Sequence, residues 1–369
     1  MMKKSLIALA VLASTAAFAQ TTPSVTVYGN ADIGVNVDNK TDTTGKKTET
    51  SNLITNGIST SRIGFKGERD IVSGLKANFA MEFELDQSTE TITLKTRTGT
   101  IGLAGAFGSV SAGRRTTLMK DIEAVLDAND GPTAAGYLGD NARESRRDDM
   151  ITWNSPVFNG FSVDLQLALG ATQKTAAAGG AIATSSAGII ADGKSGDSTS
   201  IGFNYANGPL VLKIGSETVR NFYKDIKVAD TALVVPQGSA TIAAADRKNT
   251  VFGASYNFGV ASLYYVGTGT EQGTVAIKSK FNTNTYGIRV PVGQWTFNAG
   301  IGQGKADVGT TTALIATQGV MKAAQASAWY ALNKETTLYA VYGNEKITHS
   351  SFTKEQKENT MLVGMRYKF

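Results

Sequence analysis

Strict alternation of apolar and polar side chains restricts this chain more than any other feature. From Leu75 to Asp86, the residues Leu75, Ala77, Phe79, Met81, Phe83 and Leu85 share one parity, while Lys76, Asn78, Glu82, Glu84 and Asp86 share the other. Successive side chains of a strand point to opposite faces, so this stretch has one apolar and one charged face; a helix would spread the same residues around its circumference. Val25, Val27, Ala31, Ile33 and Val35 repeat the pattern against Thr26, Tyr28, Asn30, Asp32 and Asn36, and Phe161, Val163, Leu165, Leu167 and Leu169 against Ser162, Asp164 and Gln166.

Such segments number sixteen, beginning with 25–38, 58–69, 74–86, 91–105 and 108–115 and ending with 322–333, 336–348 and 358–369. Tight connections such as Asp70 to Ser73, Ala106-Phe107, Pro156 to Gly160, Asn207-Gly208, Pro291 to Gly293 and Asn333 to Glu335 alternate with long polar ones. An even number of antiparallel strands with short turns at one rim and long loops at the other is the organisation of an outer-membrane barrel. The Ala/Gly/Ser stretch from Ala176 to Ser200 buries too little apolar surface to order itself strongly, and because alternating strands resume beyond it, it reads as a loop of one domain rather than a linker between two.

The N-terminus sets the compartment. Lys3-Lys4, an apolar run from Leu6 to Ala13 and the small residues ending Ala17-Phe18-Ala19 form a secretory signal over 1–19, with the mature chain over 20–369. The apolar run falls short of the roughly 20 residues that span a bilayer. No later run of that kind exists, and a β-barrel crosses a membrane without one. With no cysteine to staple it, the exported chain depends on backbone pairing and packing. The 40 glycines, 6 prolines and many Thr, Val, Tyr and Phe favour strands. The formal charge of +5, which falls to +3 when Lys3 and Lys4 leave, is dispersed and argues against nucleic acid as a partner.

Alternation alone also suits a soluble sandwich. The last strand discriminates: Met361, Val363, Met365, Tyr367 and Phe369 share one face, Gly364, Arg366 and Lys368 the other, and the chain stops on the terminal aromatic. The stretches SVTVYGNADIG (24–34), SRIGFKGERDIVSGLKANFAMEFEL (61–85), GSVSAGRR (108–115), ITWNSPVFNGFSV (151–163), SIGFNYANGPL (200–210), YNFGVASLYY (256–265), ALNKETTLYAVYGN (331–344) and the terminal VGMRYKF follow one another in an order and spacing that resemble the trimeric general porins of Gram-negative outer membranes, most closely those of beta-proteobacteria. The resemblance implies an all-β, 16-stranded antiparallel transmembrane barrel with short periplasmic turns, long extracellular loops and one inward-folded constriction loop. It implies a homotrimer in outer-membrane lipid and lipopolysaccharide, passing small hydrophilic solutes and ions. It also implies that Phe369, with Tyr367, is part of a signal for the outer-membrane assembly machinery.

A pore needs a polar wall and a constriction whose size and field decide what passes. By resemblance the segment from Thr116 to Arg146 is the constriction loop, and its acids Asp121, Glu123 and Asp127 face basic residues across the lumen. Parity identifies basic wall residues independently: with Ile63 and Phe65 outward, Arg62 and Lys66 point inward, and with Ile151 and Trp153 outward, Arg146 does the same. Glu82, inward by parity, stands where similar porins carry an acid between their arginines. At the fifth strand the two lines of reasoning differ: parity selects Arg115, the family's Gly-Arg match selects Arg114, and both stay open. Arg97 shares parity with Ile101 and Leu103 and turns inward only if a bulge intervenes near Gly99. Enteric members carry a lysine after the Tyr-Gly of the first strand, where this chain has Asn30, so one positive charge is missing from the expected eyelet.

Catalysis finds little footing. The single histidine, His349, lies between the last two strands, and without cysteine no zinc or transition-metal set is complete, so neither enzyme chemistry nor a cofactor is expected. A substrate-specific channel would need a lumenal aromatic ladder, and Tyr28 stands nearly alone; a barrel enzyme or a soluble sugar-binding sandwich would need a site that is not visible.

Overall fold

The computed structural model describes residues 24–86, 94–128, 145–170, 197–222, 245–273, 277–310, 317–349 and 352–369. The expected signal (1–19) and the Ala/Gly/Ser segment fall outside them, except for the final residues of that segment. The first strands are β1 (Ser24–Thr41), β2 (Lys47–Ile54), β3 (Arg62–Val72), β4 (Leu75–Glu84), β5 (Lys95–Gly105) and β6 (Gly108–Thr116), followed by the helix α1 (Leu118–Leu126). Then come β7 (Arg146–Asn154), β8 (Phe161–Ala168), β9 (Ser198–Asn207), β10 (Leu210–Phe222), β11 (Ala245–Asn257) and β12 (Ser262–Gly273). The chain finishes with β13 (Ile277–Val292), β14 (Trp295–Thr310), β15 (Thr317–Ala331), β16 (Thr336–His349) and β17 (Gln356–Lys368).

Apart from β2 and β3, which both pair with β1, consecutive strands pair antiparallel, and β1 pairs with β17 from Asn30 opposite Lys368 to Thr41 opposite Lys357, so the sheet closes on itself. Closure leaves no edge for a lipid to meet. Strands β2 and β3 both pair with β1 and form one stave interrupted by residues 55–61, which makes a barrel of sixteen staves. The expected second strand, 58–69, therefore starts four residues late.

Alternation governs the burial. On the outer face Val25, Val27, Met81, Ile101, Phe203, Ile214, Ile301 and Val363 are exposed, while the opposite parity carries buried Asn30, Asp32, Glu82, Thr152, Glu217, Asn298 and Gln325. An apolar exterior around a polar interior suits a wall between lipid and water. Outward aromatics gather beside the short turns: Phe161 lies 4.4 Å from Tyr205, Tyr256 4.5 Å from Phe258 and Trp295 4.8 Å from Tyr330, centroid to centroid. Rings with a polar tip settle at the boundary between acyl chains and headgroups. At the turns themselves Gly74 (φ 79°) and Gly293 (φ 59°) adopt the left-handed conformation that a two-residue connection demands.

Towards the other rim the strands run further than their hydropathy suggests. β12 and β13 leave only residues 274–276 between them, although alternation fades after 268 and resumes at 282. Beyond the apolar band both faces meet water, so the side-chain signal disappears while the backbone ladder continues.

Candidate constriction site

The lumen is narrowed by α1, which leaves the wall after β6. Thr117 caps it by accepting the Lys120 amide at 3.3 Å. Gln166 Oε1 takes the otherwise unpaired Leu118 amide at 2.6 Å, while Gln166 Nε2 donates to the Thr116 carbonyl at 3.2 Å. The helix is amphipathic, and its apolar residues Leu118, Met119, Ile122 and Leu126 are buried against Val251 and Val266 on the inner wall. The wall makes room with glycines on four staves. A Cβ on Gly202 would lie 2.9 Å from Leu118, one on Gly215 2.6 Å from Ile122, one on Gly253 2.7 Å from Leu126 and one on Gly287 2.4 Å from Ala128. The far end is held by Arg289, whose Nη2 donates to the Ala128 carbonyl at 2.9 Å. Asp121 and Glu123 lie on α1, with Asp121 in its first turn, and Asp127 is its C-cap. The rest of the expected loop, 129–144, lies outside the described residues.

Across from the acids, three staves converge on Glu82. Arg97 Nε donates to Glu82 Oε1 at 2.7 Å and Arg97 Nη1 meets Glu84 at 3.2 Å. Arg62 Nη1 approaches the same Glu82 oxygen at 3.5 Å, and Tyr28 Oη donates to its other oxygen at 3.3 Å. Arg62 Nε also donates to Asn30 Oδ1 at 2.9 Å. Asn30 thus holds the guanidinium by hydrogen bond where a lysine would repel it. Lys66 stands one step further down the wall, its ammonium 5.4 Å from the Tyr28 ring centroid.

Arg97 is the residue that alternation misplaced. Glu82 pairs with Thr98 but Phe83 pairs with Thr96, so β5 carries one extra residue at Arg97 and the side chain turns inward. The signal was the neighbouring Gly99, but sequence alone does not say whether a strand slips there.

A second irregularity resolves β6 and β7. Gly113 pairs with Met150 while Arg115 pairs with Arg147, which loops out Asp148 and Asp149, the latter at φ 53°. Arg115 faces inward and meets Asp121 on α1 at 3.3 Å, and the Thr116 hydroxyl donates to the same carboxylate. Arg114 pairs in register with Gly99, sharing the outer parity of Ile101 and Ala112; it donates to the Thr96 carbonyl at 2.8 Å and pairs with Asp148 at 2.7 Å. The bulge moves the inward slot of β7 from Arg146, where alternation placed it, to Arg147, which lies 3.5 Å from the buried Glu217. Arg146, at the head of β7, lies within the field of Arg62, Arg97, Glu82 and Glu84.

Arg289 was not singled out in the sequence, and Arg366 was placed on the polar face of the last strand without a role; both have inward parity. Their guanidinium carbons lie 5.5 Å and 5.7 Å from the Trp329 ring centroid. At the closing seam Phe369 exchanges backbone hydrogen bonds with Gly29 at 2.9 Å and 3.1 Å, and its ring lies over the space that a Cβ on Gly29 would fill. Tyr367 points outward beside it, 6.4 Å between centroids.

The family model described as the Gram-negative porin matches residues 5–368. The outer membrane porin protein 32 of Delftia acidovorans is 34% identical over 311 residues, which cover 79% of this chain and 77% of that protein. Among solved structures, the anion-selective porin from Comamonas acidovorans superposes with a TM-score of 0.68 at 24% identity, over 94% of this chain and 100% of that one. The trimer form of OmpT, an outer-membrane protein of Vibrio cholerae, does so with a TM-score of 0.64 at 17% identity, over 94% and 100%.

Proposed function

The chain belongs to the Gram-negative porin family, and from that premise we propose that its diffusion pore prefers anions because, among the described residues, the wall cluster around Glu82 holds more arginines than carboxylates. It is an outer-membrane channel for the passive diffusion of small hydrophilic solutes, and not an enzyme.

The observation that carries the preference is the cluster on β3–β5 and β7, where, among the described residues, Arg62, Arg97 and Arg146 share the field of Glu82 and Glu84. A narrow, low-dielectric passage concentrates the ion that its excess charge attracts. Arg115 and Asp121 face each other as a neutral pair, and so do Arg147 and Glu217. Arg289 and Arg366 also have inward parity and lie against the Trp329 ring. A fold neighbour described as an anion-selective porin is consistent with this reading.

Two further roles complete the proposal. The chain acts as a homotrimer in lipid and lipopolysaccharide, as the trimer form of the Vibrio cholerae protein suggests. Phe369 and Tyr367, exposed on the outer face of the closing strand, are read by the assembly machinery after removal of residues 1–19. Reversal potentials across a salt gradient in planar bilayers test the selectivity: the expected sign is that of anion preference, reduced by Arg62→Glu and by Arg97→Glu. A reversal potential that neither variant moves refutes the placement of the eyelet.

A further inference from the structure

Between Ile54, opposite Gly34, and Arg62, opposite Asn30, the second stave carries seven residues, Thr55 to Ser61, where β1 carries only Ala31, Asp32 and Ile33. The surplus backbone turns into the lumen. Ile58, at its tip, is 4% exposed and packs among Trp329, Tyr339, Val341 and Leu362, which point inward from β15, β16 and β17.

This bulge is bolted down. The Asp32 carboxylate accepts the amides of Gly57 and Ile58, each at 3.1 Å, and the Tyr339 hydroxyl at 2.5 Å. Ser61 Oγ accepts the Asp32 amide at 2.9 Å and donates to the Asp32 carbonyl at 3.1 Å, and the Ser61 amide donates to Asn56 Oδ1 at 2.7 Å. Any residue other than glycine at 57 would place a Cβ 1.9 Å from Tyr339 Oη. Each of these groups would otherwise hydrogen-bond water, so a buried knot of this kind persists only while all its partners stay matched.

The bulge also reaches the arginine cluster. Arg62 Nη2 donates to Ser59 Oγ at 3.0 Å and Arg62 Nε to the Thr60 carbonyl at 3.1 Å, while Asn30 Nδ2 donates to the same carbonyl at 3.0 Å. On its other flank Ile58 touches Trp329, the ring that lies beneath Arg289, whose guanidinium holds the end of the α1 segment at Ala128. The α1 segment covers the arc of wall from β9 to β13, and the bulge occupies lumenal space along β15–β17 and β1.

We propose that residues 55–61 form a second constriction element, which bounds the eyelet on the arc that α1 leaves uncovered and positions the guanidinium of Arg62. The inference rests on the reading of the chain as a diffusion pore.

Because the chain has no cysteine, Ser59→Cys introduces a single thiol. Open channels of the purified variant in planar bilayers are treated with an anionic and, separately, a cationic methanethiosulfonate. The expected result is a stepwise loss of current with both reagents, with the anionic one moving the reversal potential towards cation preference. Current that neither reagent changes overturns the proposal, whether the thiol is out of reach of the lumen or lies away from the eyelet. Deleting Asn56 to Ser59 restores three residues opposite three; a folded variant is expected to conduct more and to prefer anions less, and a wild-type conductance and selectivity would overturn the proposal equally. If the deletion prevents folding, the thiol result decides. Wild-type protein that forms no channel would instead refute the pore reading itself.

Discussion

Arg97 shares nominal parity with the lipid-facing Ile101 and Leu103, yet its Nε lies 2.7 Å from the inward carboxylate of Glu82, because β5 carries one extra residue at that point. The single-residue slip moves a cation from the membrane face to the eyelet, where it meets Arg62 over a shared acid.

Glu82 is therefore the group whose loss should be felt most. Its side chain is 12% exposed and that of Arg97 10%. Glu82→Ala leaves Arg97 with Glu84 alone, and breaking such a buried pair costs roughly 3–5 kcal/mol. Urea unfolding of the reconstituted barrel should show that loss, and reversal potentials should show stronger anion preference. A variant as stable as wild type would mean that water reaches the pair freely.

Arg114 and Arg115 are adjacent, but their registers send them to different faces. Arg115→Glu puts a negative charge beside Asp121 and should lower single-channel conductance to anions, whereas Arg114→Glu disturbs only its contacts to Asp148 and Thr96 and should leave conductance unchanged. Equal effects from both would show that Arg114 also reaches the lumen.

The glycines beneath α1 make a separate prediction. In Gly215→Val the new side chain would collide with Ile122 and Met119, 2.6 Å and 2.8 Å from the position of its Cβ. The barrel ladder does not need α1, so circular dichroism and heat-modified gel mobility should stay those of a folded barrel while conductance departs from wild type. Unchanged conductance would mean that the displaced segment still defines the opening.

The selectivity should also fade with salt. The Debye length falls from about 10 Å at 0.1 M to about 3 Å at 1 M. If the arginine cluster acts through its field, anion preference is greatest in dilute KCl and declines as the concentration rises. A ratio constant over that range would point to binding contacts rather than field.

The staves and their facing were legible because the lipid and water faces impose period two wherever both are present, as from Leu75 to Leu85. Three things were hidden. The extensions of β12 and β13 carry no apolar face. The slip at Arg97 and the looped Asp148-Asp149 pair are backbone events that shift parity by one without changing composition. The inward bulge at 55–61 depends on Tyr339, which lies 307 residues from its partner Asp32. The pairing of Arg115 with Asp121 was within reach, since parity and the position of the loop after β6 both pointed to it, whereas the inward parity of Arg289 and Arg366 was present but unused.

The four glycines on which α1 rests have a consequence for how such a channel diversifies. Because the helix is a guest in a socket cut into an already closed wall, the aperture and the envelope are specified by different residues. Substitutions at 202, 215, 253 or 287, or on the helix surface, can widen, narrow or retune the opening with the lipid-facing side unchanged. A lineage under pressure to exclude a toxic solute could thus alter its filter while keeping the exterior that its membrane requires.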